Sequence, residues 1–230
     1  MRRTITTILL QRTAADDAGA FATLLRSLRF TLTRDDCEAL ILLNGVDGAS
    51  PDLPGSVRWL RWQTPRPAAE GWAALALAAR GRRLALIAPD GQIRDSAWLD
   101  ALSAALRGDG VGLAAAAGGW LALTAEREGC LIPAKGGAGM DVPLGGAILG
   151  RREVIRAALE AAAEENDPHP IIGIALRARA AGYGAVVGKN AEALVCGGWW
   201  GAADLRAPPD FARRWRGRGL IQAEQGGRIP

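Results

Sequence analysis

Short apolar runs and amphipathic stretches alternate along most of this chain, and that alternation predicts strands and helices in turn. Residues 4–10 (TITTILL) are rich in β-branched side chains and predict a first strand. Asp16 and Asp17 then lead into a helix with Phe21, Leu24, Leu25 and Leu28 at helical spacing. Residues 39–43 (ALILL) predict a second strand. Asn44, Gly45, Val46, Asp47 and Gly48 follow as a turn, because Asn, Gly and Asp tolerate the backbone angles of a tight reversal. A Pro/Gly-rich connection over 50–55 precedes a third strand at 57–62. Residues 70–80 form an alanine-rich helix that Gly81 is expected to end as a C-terminal glycine.

The apolar run between Arg83 and Pro89 suits a strand buried on both faces of a parallel sheet. Asp90 falls just past its carboxyl end. Ligands bind at that edge in open α/β sheets, where a carboxylate can hold a divalent metal or a ligand hydroxyl. Asp95 or Ser96 is the expected cap of a helix carrying Trp98, Leu99 and Leu102 on one side. Residues 111–117 and 120–124 read as two strands joined by a Gly118-Gly119 turn, and the glycine-rich stretch 129–142 as a mobile loop over the site. Residues 143–158 predict a strand running into a helix. A last helix over 171–181, capped by Asp167 and ended by Gly182, leads to a final strand.

At 230 residues the chain is sized for one medium domain, and with 49% apolar residues it belongs with ordered proteins. Its formal charge of +4 comes almost wholly from arginine beside abundant Ala and Gly, and reads as composition rather than as the mark of an anionic partner. Cys37, Cys130 and Cys196 are widely spaced and form no C-x-x-C pair. Neither a zinc site nor a disulfide framework is expected, and the reducing cytoplasm is the default compartment. His169 is the only histidine, so any Ser-His-Asp or Cys-His scheme must use it. The apolar run near the amino terminus is broken by Gln11 and Arg12 too early for a signal peptide, and no transmembrane helix is expected.

Nucleic-acid binding is not expected, because arginines and aromatics cluster only in the tail after Gly197. There Trp199, Trp200, Phe211 and Trp215 are interspersed with Arg206, Arg213, Arg214, Arg216 and Arg218. Such a segment suits a membrane surface, a partner protein or the domain's own flank.

Several of these motifs, in this order, resemble family-2 glycosyltransferases of the GT-A fold, particularly the rhamnosyltransferase-like branch. Ala88, Pro89 and Asp90, followed by Trp98, Leu99 and Leu102, are similar to the family's N-P-D or D-x-D segment, which holds the metal and diphosphate of a nucleotide-sugar. Gly145, Gly146, Ala147, Arg151, Arg152, Glu153 and Val154 resemble its strand-to-helix segment beside the acceptor pocket, and residues 175–183 its L-R-A-R-x-A-G-Y helix. The resemblance spans residues 4–195. It implies an α/β fold, a GT-A-like three-layer α/β/α sandwich with a mostly parallel central sheet over residues 1–198, followed by an Arg/Trp-rich tail at 199–230.

The resemblance implies inverting transfer of a sugar from a nucleotide-diphosphate donor to a glycan or lipid-linked acceptor, as in the making of bacterial cell-envelope glycans. It places the protein in the cytoplasm or peripherally at the inner membrane face. Asp90 is the implied ligand of Mn or Mg, Asn44 and Asp47 lie in the loop that binds the nucleobase, and Arg151 and Arg152 are the implied partners of the departing diphosphate. In the family, the catalytic base comes from an E-D-x-D-L segment. Counting back from Arg177, its positions fall on Pro170, Ile171 and Gly173, so Asp167 or His169 is the nearest group able to serve. The family's nucleobase acid is either lost, with Leu43 in its place, or displaced to Asp47, and Ala88 replaces its first metal-site residue. These departures keep an alternative open: a catalytically degenerate GT-A domain acting as a non-enzymatic binding or scaffold subunit. A sugar nucleotidyltransferase would show a glycine-rich loop after the first strand, where this chain has Gln11, Arg12, Thr13, Ala14, Ala15 and Asp16.

Overall fold

The computed structural model describes residues 6–48, 51–123, 128–191, 195–196, 211 and 215. Along the chain these form β1 (Thr6–Arg12), α1 (Ala18–Ser27), α2 (Arg29–Leu32), β2 (Cys37–Asn44), β3 (Ser56–Trp62), α3 (Ala68–Ala78) and β4 (Arg83–Ile87). There follow β5 (Gln92–Ile93), α4 (Trp98–Ala105), β6 (Val111–Ala115), β7 (Gly118–Leu123), β8 (Glu128–Pro133) and β9 (Val142–Pro143). The last elements are β10 (Ala147–Arg151), α5 (Arg152–Glu164), α6 (Ile174–Ala180), β11 (Gly184–Val187) and β12 (Val195–Cys196).

Seven strands make the central sheet in the order β11-β6-β10-β4-β1-β2-β3, and only β10 runs against its neighbours. Side chains alternate across it as the pleat requires. Ile8, Leu10, Ile41, Ala85 and Ile87 join one core with residues of α1 and α4, while Leu9, Leu40, Leu42, Leu84 and Leu86 join a second core with α3, α5 and α6. The result is a three-layer α/β/α sandwich of GT-A-like form. Smaller sheets pair β5 with β12 and β7 with β8 and β9.

Several local expectations change. The first strand continues through Gln11 and Arg12, which pair in register with Leu42 and Leu43. Residues 116–117 carry the turn expected at Gly118-Gly119, and β6 and β7 form no hairpin. Both edges of β6 are already taken by β10 and β11, so the following strand has to join another sheet. Helix α3 ends at Ala78, and Gly81 serves close approach instead of a helix end: a Cβ there would lie 2.6 Å from the Thr7 backbone nitrogen. Asp95 accepts from the Ala97 N–H at 2.8 Å, one residue ahead of α4, whose N-cap is Ala97 without a side-chain bond. The loop expected over the site is instead strapped along β11, through Gly137 N–H to Val187 O at 2.6 Å and Met140 N–H to Ala185 O at 3.0 Å.

At the amino end of the sheet a buried carboxylate ties four segments together. Glu38, 1% exposed, accepts from Thr7 Oγ1 at 2.7 Å, from the Arg80 backbone N–H at 3.1 Å and from Arg58 Nη2 at 3.3 Å. Thr7 Oγ1 in turn accepts from Gly81 N–H at 2.8 Å. Glu38→Ala strands these donors and is expected to cost roughly 3 kcal/mol in urea unfolding; a loss under about 0.5 kcal/mol would show that the hub contributes nothing.

Cys37 opens β2 in a buried position, where desolvation, with the nearby Asp36 carboxylate, pushes its thiol up to about 12. The thiolate is the reactive form. Native protein at pH 8 is therefore expected to leave Cys37 unlabelled by maleimide in peptide mass spectrometry, with labelling appearing on unfolding.

Candidate functional site

The chain runs outward from β1 to β2 and β3, then returns to place β4 on the other side of β1. Such a reversal of strand order opens a crevice at the carboxyl ends of the strands. A cavity of about 270 Å³ occupies it. Gln11 at the end of β1, Thr13 and Asp16 beyond it, and Pro89 after β4 line the sheet side. Ala68 and Trp72 of α3 line a second wall, and the segment Pro168 to Ile172 closes the third. The β1–α1 connection is fixed by Asp16, whose Oδ2 accepts from Thr13 N–H at 2.6 Å and from Thr13 Oγ1 at 2.8 Å.

The wall carrying His169 is held by a buried ion cluster. Arg177 of α6 donates through Nη2 to Asp167 Oδ2 at 2.6 Å and to Glu165 Oε2 at 2.7 Å. Asp167 Oδ1 also accepts from the His169 backbone N–H at 2.9 Å, which bends the chain so that His169 lines the cavity. Gly173 is required beneath this cluster, since a Cβ there would sit 2.5 Å from Arg177 Nη1.

Two aromatics from the tail seal the cluster from behind. Phe211 and Trp215 are 1% and 0% exposed. Phe211 meets the His169 ring edge-on at 6.3 Å between centroids, and the Arg177 guanidinium lies 5.0 Å from the centre of the Trp215 ring. These two aromatics are spent on the domain itself. Trp199, Trp200 and the tail arginines Arg206, Arg213, Arg214, Arg216 and Arg218 lie outside the described residues.

The expected site residues therefore separate. His169 lines the cavity, and Asp90 stands exposed in the turn directly after Pro89. Asp167 lies behind the wall, its side chain 1% exposed and bound to Arg177, so it positions His169 rather than facing the cavity; it also caps no helix, because α6 begins at Ile174 with Gly173 as N-cap. Asn44 is 2% exposed and fully engaged: its Nδ2 donates to Arg66 O at 2.8 Å and its Oδ1 accepts from Arg66 N–H at 2.9 Å. It joins β2 to the loop before α3 and does not reach the cavity. Asp47 is exposed on the other side of the sheet edge, its backbone oxygen accepting from Arg12 Nη1 at 3.2 Å.

Arg151 and Arg152 are not brought to the site at all. Because β10 is antiparallel, Ala147 pairs with Ile87 and Arg151 with Arg83, which places both arginines at the amino edge of the sheet. That is roughly 13 Å along β4 from its carboxyl end at Ile87, at about 3.3 Å per residue, with the turn holding Asp90 further on. Ala88, 0% exposed, has its N–H bonded to Gly146 O at 2.8 Å, so this position is interior. Among the described residues no three Asp, Glu, His or Cys side chains gather as a metal-binding group. One exposed carboxylate cannot cage a free divalent ion, but it does suit a magnesium-like ion that arrives with the oxygens of a diphosphate.

Gln11, Thr13, Asp16 and Trp72 are cavity residues that sequence reading did not assign to the site, Gln11 the most telling of them. The available signal was the alternation of β1, in which Thr7, Leu9 and Gln11 share one face and the last is polar at the carboxyl end.

No family model matches the chain, and no curated protein matches it. Among solved structures it is similar to a mannosyltransferase from Pyrobaculum calidifontis in complex with GDP-mannose and Mn2+, with a TM-score of 0.61 and 12% identity, over 95% of this chain and 61% of that one. It thus spans less than two thirds of that protein's length. TarS from S. aureus, residues 1–349, gives a TM-score of 0.48 at 11% identity over 80% of this chain and 57% of that one. A 2-C-methyl-D-erythritol 4-phosphate cytidylyltransferase from Thermus thermophilus gives 0.46 at 18% identity over 93% and 98%. The first of these likenesses establishes the GT-A-like fold. No helix among the described residues is long and apolar enough to cross a membrane.

Removing the cation from the buried cluster leaves the Asp167 carboxylate in the interior without the Arg177 guanidinium. Arg177→Met is expected to destabilise the protein by about 3–5 kcal/mol, read by urea unfolding. An unchanged midpoint would show that the cluster does not hold the wall.

Proposed function

We propose that the chain is a glycosyltransferase of the family-2, rhamnosyltransferase-like kind, moving a sugar from a nucleotide-diphosphate donor to a glycan or lipid-linked acceptor. The observation that carries this reading is the cavity at the strand-order reversal, with His169 on one wall and Pro89, the residue before Asp90, on another. The donor's diphosphate would lie along the carboxyl edge near Asp90. A Mn or Mg ion entering with it would be met by Asp90 and would offset charge on the leaving group. Glycosyl rather than nucleotidyl transfer is favoured by the β1–α1 connection, which has no glycine-rich phosphate loop.

His169 is the proposed base. Its imidazole takes the proton from the acceptor hydroxyl, the hydroxyl oxygen bonds to the anomeric carbon, and the carbon–oxygen bond to the diphosphate breaks with its electron pair leaving on the diphosphate. The imidazolium then returns its proton to solvent. Asp167 acts through the His169 backbone, and attack opposite the leaving group inverts the anomeric centre. A cytoplasmic site of action, where nucleotide-sugars are available, fits this chemistry.

The second reading, a non-catalytic GT-A domain serving as a binding or scaffold subunit, is favoured by the engagement of Asn44 with Arg66 and by the interior position of Ala88. Titration of UDP, GDP and dTDP with and without manganese separates the two. The transferase reading expects one nucleotide to bind more tightly with manganese, no binding of manganese alone, and loss of the metal effect in Asp90→Ala. Absence of binding to all three would favour the scaffold. If transfer is found, His169→Gln is expected to lower kcat by about a hundredfold or more with KM for the donor little changed; unaltered kcat would remove His169 from the base role.

A further inference from the structure

Gln11 is 2% exposed, lines the cavity, and both its Nε2 and its Oε1 lack a hydrogen-bond partner in the protein. A buried amide with both ends unmet is a standing cost, since water has been stripped from a donor and an acceptor without replacement. Leucine or methionine would fill the same place on β1 without that cost. Beside it, α3 carries a second local cost at Gly71, a residue that weakens a helix relative to alanine. A Cβ at Gly71 would lie 2.6 Å from both Gln11 Nε2 and Gln11 Oε1. The glycine thus clears space for the amide. Trp72, the next residue, supplies an indole to the same cavity.

We propose that Gln11 reads the hydrogen-bonding edge of the donor's nucleobase, with the indole of Trp72 beside it. This rests on the transferase reading above and assigns its base-recognition residue. Every natural nucleobase presents a neighbouring donor and acceptor on one edge, and a carboxamide matches such a pair in either orientation of its own oxygen and nitrogen. The expected β2 position cannot do this, because the Asn44 amide is consumed by Arg66. Recognition has therefore moved from the end of β2 to the end of β1. A purine or pyrimidine is planar, and the indole of Trp72 offers it an apolar wall.

The test compares wild type, Gln11→Leu and Gly71→Ala in titrations with UDP, GDP, dTDP and inorganic pyrophosphate, alongside thermal unfolding without ligand. Gln11→Leu is expected to weaken the preferred nucleoside diphosphate tenfold to a hundredfold, to leave pyrophosphate binding as in wild type, and to raise the unfolding temperature of the free protein. Gly71→Ala keeps the amide but displaces it, and is expected to weaken the same nucleotide by tenfold or more; it carries the test should Gln11→Leu not fold. Nucleotide binding within twofold of wild type in both variants overturns the proposal while leaving the transferase reading standing. A wild type that binds no nucleotide overturns both.

Discussion

Strand β1 is buried on both faces and, over Thr6–Leu9, paired on both edges. It pairs with β2 and β4, its side chains enter the cores on both sides, and Ile8, Leu9 and Leu10 are completely buried. A polar group on it left without a partner carries a desolvation cost. Near the amino end Thr7 is answered internally, by Glu38 and the backbone of Gly81, although the Thr6 hydroxyl beside it has no partner. At the carboxyl end Gln11 has no such answer, and the chain opens there into its cavity. The difference between Thr7 and Gln11 on one strand separates what holds the fold together from what the fold leaves available. That asymmetry follows from topology, because the reversal of strand order opens the carboxyl edge and not the other.

The α/β class and the order of its main elements were legible because buried parallel strands write themselves as unbroken apolar runs such as residues 84–87, and the helices as spaced Leu and Phe. Asp90 followed from the same reading, since its place after a buried strand fixes the edge it occupies. What was not legible depended on pairing. Arg151 and Arg152 seemed close to the site because they continue a strand of the sheet, and only the antiparallel direction of β10 sends them to the opposite edge. The Gly118-Gly119 hairpin failed for a related reason: a strand's neighbours are decided by segments far along the chain, and β6 had none to spare.

Side-chain partnership was equally hidden. Asn44 and Asp167 have the composition of site residues, yet Arg66 and Arg177 have claimed them. In both cases the partner lies ten or more residues away, beyond the reach of motif spacing. Gln11 is the converse, a residue of no evident promise that becomes notable only once burial and the lack of a partner are both known. A sequence shows which groups could act. It does not show which have been used up in keeping the chain folded.

The packing of Phe211 and Trp215 behind the His169 wall has a temporal side. All strands of the central sheet are complete by Val187, so the sandwich can assemble while the later residues are still being added. The wall is finished only when residue 215 has left the ribosome and its indole has closed over Arg177. A chain stopped before Phe211 would still contain every strand of the central sheet but would lack the aromatics that back His169 and Arg177.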